Sequence, residues 1–158
     1  MIYVGIDPGF SGAVAFYQSE THWLEVHDMP VLKNAKGKTV LNLHGLHSLL
    51  TPEGDEPHTA VIEQVAAMRG QGVSSMFRFG ETYGATQMAV AAHAMPIHYV
   101  TPAKWKGHFK LSRDKGVSRS VAIQRFPKNA ADFSRVKDDG RAEAALIALY
   151  GKEMTYGT

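Results

Sequence analysis

The chain has 158 residues, with 17 Lys+Arg against 15 Asp+Glu and no cysteine. That length suits one domain with a substantial core. The missing thiols exclude disulfide scaffolds, zinc–thiolate centres and cysteine nucleophiles, and point to a cytoplasmic setting. The opening residues carry no basic leader. No apolar run approaches the roughly 18 residues of a membrane helix, so no membrane partner is expected.

IYVGID (2–7) reads as a short buried strand, and Pro8-Gly9 forces a turn. GAVAFY (12–17) reads as the returning strand of a hairpin, and 23–27 as a third strand. Residues 33–39 (KNAKGKT) read as a polar connection, and 41–50 as a short helix. TAVIEQV (59–65) reads as a buried strand with one acid, Glu63. AAMRGQG (66–72) reads as a Gly-rich loop. Ser74 or Ser75 is a candidate cap for a long helix running to His93. A strand over 96–100 follows. Thr101-Pro102 has the pattern of an N-cap with proline at the first helical position. Helices are expected from 102, over 115–126, and over 140–150 with Asp138 or Asp139 as cap. The order predicts an α/β domain with a mixed sheet flanked by helices.

The net charge of +2 hides strong polarisation. Residues 1–68 hold three basic side chains against eight acidic ones, whereas 98–125 hold seven against one. Within the acidic part, Asp7 ends the first strand and Glu63 ends the fourth. Asp139 and Glu143 share a helix face. If these four converge, their mutual repulsion calls for a cation. All-oxygen ligands suit Mg2+ or Mn2+, and a pair of ions about 3.5–4 Å apart serves phosphodiester hydrolysis. The alternative reading makes Asp7 a turn residue, Glu63 an edge-strand polar group, Asp139 a cap and Glu143 a solvated side chain.

Four segments together resemble the RuvC Holliday-junction resolvases of the ribonuclease H-like superfamily. They are IDPGFSGAVAF, VIEQV, SSMFRFGETYGATQMAVAA and DDGRAEAALIALY. The last is similar to the phage branch in particular. The resemblance spans 1 to about 150, with weak similarity at 18–58 and 127–137. It implies a ribonuclease H-like mixed five-stranded sheet in a single domain, 1–158. It also implies Asp7, Glu63, Asp139 and Glu143 as ligands of two Mg2+ or Mn2+ ions, with Lys115 near the scissile phosphate. The family's bacterial members carry an acid or histidine three residues before the last acid, where this chain has Gly140. The family's aromatic wedge after the second acid is also missing, which leaves Met68 or Phe77 as substitutes.

The basic stretch KWKGHFKLSRDKGVSRSVAIQR interleaves cations with Trp105 and Phe109. It reads as a phosphate-binding track of Lys104, Lys106, Lys110, Arg113, Lys115 and Arg119, extended by Arg69 and Arg78. The bland reading is a solvated basic face over a Trp105/Phe109 core. Paired cuts on a symmetric junction imply a homodimer. Met76, Phe79, Gly80, Tyr83 and Gly84 on the long helix are the expected interface. The leading function is a structure-selective endodeoxyribonuclease acting on four-way DNA junctions. A broader flap or RNA–DNA hybrid nuclease, a non-catalytic junction binder and a sugar-kinase-like fragment are the competing readings.

Overall fold

A computed structural model describes residues 1–66, 70–114 and 116–154. Seven strands and five α-helices run in the order β1 (Ile2–Asp7), β2 (Ala13–Gln18), β3 (Trp23–Asp28), β4 (Val31–Lys33), β5 (Thr39–Leu41), α1 (Leu43–Leu50), β6 (His58–Glu63), α2 (Val73–Ala92), β7 (Ile97–Val100), α3 (Pro102–His108), α4 (Val117–Arg125) and α5 (Asp139–Glu153). Two 3-10 turns, Pro127–Phe133 and Val136–Asp138, lead into α5.

The main sheet has the order β3-β2-β1-β6-β7. The pairs β1/β2 and β2/β3 are antiparallel, while β1/β6 and β6/β7 are parallel. This is the expected mixed five-stranded sheet. Side chains alternate across it. Val4, Ile6, Val14, Ala60 and Ile62 pack with Leu46 and Leu50 of α1 and Val90 of α2. Tyr3, Ala13, Ala15 and Val61 pack on the other face with Trp105 of α3, Ala122 of α4 and the Ala-rich stretch of α5. That parity puts Asp7 and Glu63 on the α5 face, in phase with Tyr3 and Val61.

Gly5 and Gly140 let α5 lie directly on the backbone beneath it, and Gly12 closes the turn under it. A Cβ on Gly5 would stand 2.1 Å from the Ala144 carbonyl oxygen. One on Gly140 would stand 2.3 Å from the Ser11 carbonyl oxygen, and one on Gly12 would stand 2.0 Å from that of Asp7. Position 140 therefore has no room for a ligating side chain.

Several expected boundaries shift for local reasons. The connection over 33–39 is the tip of a second hairpin, in which Lys33 pairs with Thr39 across β4 and β5. Its strands are three residues each and its tip is polar, so no alternation announces them. Neither Ser74 nor Ser75 caps α2. Gly72 is the cap residue, and its carbonyl accepts from the Met76 N–H at 3.0 Å. Thr101 makes no side-chain cap bond, although Pro102 does open α3. α4 starts at 117 rather than 115, because Gly116 is left-handed (φ 81°). α1 starts at 43, since the Asn42 side chain accepts from the Gly45 N–H at 2.9 Å.

Candidate metal centre and nucleic-acid face

Asp7 is the last residue of β1, and Glu63 is the last of β6. These strands are adjacent and parallel, so both carboxylates leave the sheet at the same end. Glu143 lies one turn into α5, just past the Gly140 contact. Asp7, Glu63 and Glu143 each offer a carboxylate oxygen, and the three atoms lie within 4.8 Å of one another. Glu63 is buried, and the other two are half-buried.

The electrostatics are unfavourable without a cation. Burial pushes the Asp7 carboxyl well above its usual range, and the charges of Glu63 and Glu143 push it further. Burial also raises Glu63, opposed by a hydrogen bond from Trp105, while Glu143 adds repulsion. Lys106 is the countercharge for both acids. Its Nζ lies 3.0 Å from Glu143 Oε1 and 5.0 Å from the centroid of the Trp105 ring. The Trp105 indole N–H donates to Glu63 Oε1 at 2.8 Å from a fully buried ring. The Ser118 hydroxyl donates to Glu143 Oε1 at 3.3 Å. A crowded set of hard oxygens with, among the described residues, one ammonium paired to it fits a small divalent cation such as Mg2+ or Mn2+.

The other two acids at the start of α5 are placed differently. Asp138 is buried, and its carboxylate accepts from the Arg135 backbone N–H at 2.8 Å and from the Arg135 guanidinium. It therefore faces away from the cluster. Asp139 stands one helical turn before Glu143, outside the three-carboxylate group. Its half-exposed carboxylate accepts from Arg119 Nε at 2.8 Å. Asp139 and Glu143 line an open cleft of about 670 Å³ with Lys106, Arg113 and Ser118, between α3, α4 and α5.

The expected cationic track divides. Lys104, Lys110 and Arg113 are exposed on or just after α3. Lys106 and Arg119 are held by Glu143 and Asp139. Arg78 is not a free cation on the track. Its guanidinium donates to the Thr39 carbonyl and lies 5.5 Å from the Phe10 ring centroid. Lys115, Arg69 and Met68 lie outside the described residues. Trp105 is core, as either reading of the basic stretch allowed, and it also reaches the site. Its bond to Glu63 is not announced by the sequence, and Ser118, a candidate phosphate contact there, instead donates to Glu143.

The residues expected at a dimer interface also divide. On α2, Thr82, Thr86 and Val90 face the core, with Tyr83 packed beside them. The Phe79 ring approaches Gly9 in the β1–β2 turn. Met76 is half-buried. Gly80 and Gly84 are exposed, with open space around them. They share a stripe with Val73, Phe77 (68% exposed) and Met88 (64%). Phe77, a wedge candidate, stands in solvent on the second turn.

No protein-family model matches this chain, and no curated protein matches it. Solved structures do. The chain is similar to Thermus thermophilus RuvC in complex with Holliday junction substrate, at 17% identity and a TM-score of 0.60, covering 99% of this chain and 97% of that one. A second Thermus thermophilus RuvC structure matches at 17% identity and a TM-score of 0.56, covering 98% and 97%. The fold is thus the ribonuclease H-like fold of RuvC over nearly the whole chain. Among the described residues, no helix is long and apolar enough to cross a membrane.

Proposed function

We propose that this chain is a metal-dependent endodeoxyribonuclease that resolves four-way DNA junctions by paired phosphodiester hydrolysis. The observation that carries this reading is the meeting of Asp7, Glu63 and Glu143 within 4.8 Å at the end of β1, β6 and α5. The RuvC-like fold supports it. Asp7, Glu63 and Glu143 would hold Mg2+ or Mn2+, two ions per site, and Asp139 would join them once Arg119 turns toward phosphate. The bound ions supply charge neutralisation and an activated water.

The protein's own residues orient and shield this centre. Trp105 fixes one oxygen of Glu63, leaving the other for ligation. Lys106, paired with Glu143, offsets the charge of the acids and stands close enough to the cluster to be available to the phosphate. Lys115 stands beside the scissile phosphate. Water attacks phosphorus in line, the bond to the 3′ oxygen breaks, and 5′-phosphate and 3′-hydroxyl ends result. Lys104, Lys110 and Arg113 hold the flanking backbone. Two opposed cuts come from a homodimer joined through the exposed stripe of α2. A mass of one chain by sedimentation would remove that dimer. The enzyme acts in the cytoplasm, that of a bacterial host if it is phage-encoded.

The test is Asp7→Asn. Junction cleavage with Mg2+ is expected to fall by on the order of a thousandfold or more while junction binding persists. Wild-type cleavage rates in this variant would refute the site. The exposed Phe77, the first aromatic in the sequence after Glu63, favours one variation, a nuclease of broader branched-DNA taste. A panel of four-way, three-way, flap and hybrid substrates separates it from a strict resolvase.

A further inference from the structure

The first 68 residues carry eight acids and only three Lys or Arg side chains. All three, Lys33, Lys36 and Lys38, sit on the β4–β5 hairpin. All are exposed, and among the described residues none has a carboxylate within 4 Å.

The hairpin's backbone is pinned while its charges are not. Asn34 Oδ1 accepts from the N–H groups of Lys36 and Lys38, at 2.9 and 3.0 Å. Asn34 and Lys38 also pair through the backbone at 3.0 Å, and Gly37 takes the left-handed conformation (φ 72°) that closes the tip. Lys33 Nζ reaches Thr39 Oγ1 at 2.7 Å. Lys36 and Lys38 extend from the tip.

Topology puts this tip at the catalytic end of the molecule. β3 ends at Asp28, which pairs with Ala13, and Ala13 pairs with Asp7. The chain therefore enters the hairpin from the end of the sheet that bears the carboxylates. The Arg78 guanidinium ties Thr39 of the hairpin to Phe10 of the turn after Asp7. The hairpin joins the α1/α2 face through Leu41. The α3–α4 cations lie on the α5 face. Basic groups thus flank the acids from both sides of the sheet.

We infer that the β4–β5 hairpin is a second DNA-contacting element, whose Lys36 and Lys38 grip the phosphate backbone of a duplex arm across the acid cluster from α3–α4. This inference rests on the nuclease reading above. A two-stranded ribbon with exposed ammonium groups on a hydrogen-bonded turn suits backbone contact, which is salt-dependent and nearly sequence-blind.

The test compares Lys36→Gln/Lys38→Gln with Lys128→Gln/Lys152→Gln, an equal charge change elsewhere on the surface. Binding to a labelled four-way junction is measured without divalent ions, between 50 and 200 mM salt. The hairpin variant is expected to bind on the order of tenfold more weakly. Its slope of log affinity against log salt should be shallower by about 2 per protomer, at roughly 0.9 per lost phosphate contact. The control should match wild type. Equal behaviour of the two variants overturns the inference, leaving the lysines to some other polyanion. So does weaker binding with an unchanged salt slope. If wild type itself fails to bind any junction, the nuclease reading fails instead.

Discussion

Two groups of acids flank the start of α5, and they have opposite fates. Asp28 and Asp138 each meet an arginine. Arg141 donates to Asp28 at 2.6 and 3.1 Å, and Arg135 wraps Asp138. Hydrogen bonding to these guanidinium groups lowers both carboxyl pKa values. Asp7 and Glu63 meet each other, Glu143 and Lys106, and burial raises both. The first group ties the 3-10 turns and the end of β3 to α5. The second sets three carboxylates against Lys106, an excess of negative charge where a cation can enter. Perturbation by desolvation and like charge, rather than by an arginine, separates site from scaffold here.

The largest effect should come from the scaffold. Asp138→Ala leaves the Arg135 backbone N–H and guanidinium without their acceptor. It should cost about 2 kcal/mol, or about 4–8 °C in thermal midpoint for a chain of this size. Calorimetry checks this, and metal binding by the folded variant should be unchanged. A metal affinity that fell with it would break the division between the two groups.

Trp105→Phe comes next. It removes the indole N–H from Glu63 while keeping an aromatic ring in the core. Loss of such an outer-shell partner should weaken Mn2+ binding by about tenfold, read by titration calorimetry. An unchanged affinity would make Trp105 a core residue only.

The smallest effect is one of pH. The native state holds the raised Asp7 and Glu63 protons more tightly than the unfolded chain does. Their contribution favours the fold at low pH and is lost as pH rises from the ordinary carboxylate range through the raised values. Asp28 and Asp138 act in reverse, stabilising above their ordinary values and losing this as pH falls through the lowered ones. At neutral pH without divalent ions, Asp7→Asn should therefore raise the thermal midpoint by about 2–4 °C, roughly 1 kcal/mol. Mg2+ should raise the wild-type midpoint but not the variant's. An apo midpoint that falls in Asp7→Asn would contradict the repulsion argument.

Much of this was legible in the sequence because the signals were local. Strands β1 and β6 are short apolar runs ending in an acid. α2 and α5 have enough length for their patterns to register, and Pro102 marks the start of α3. The β4–β5 hairpin escaped because a three-residue strand has too few positions to display a period of two. The 3-10 turn over 127–133 escaped because its short apolar pieces match no helix template. Gly140 stood out only as a departure from a family pattern, and its backbone contact with Ser11 explains it. The partners of the acids were not legible. Trp105 lies 42 residues from Glu63, and Arg119 lies 20 from Asp139.

Local chemistry in the sequence determined the mixed α/β order, the polarised charge and the acids that end β1 and β6. Tertiary packing decided which acids meet. Parity along the strands turns Asp7 and Glu63 toward α5, and Gly5 and Gly140 let α5 descend until Glu143 joins them. Asp138 pairs locally with Arg135, three residues before it, while Asp139 is left to Arg119. No sequence pattern specifies the meeting of Asp7, Glu63 and Glu143, because it depends on a backbone separation set by glycines more than a hundred residues apart.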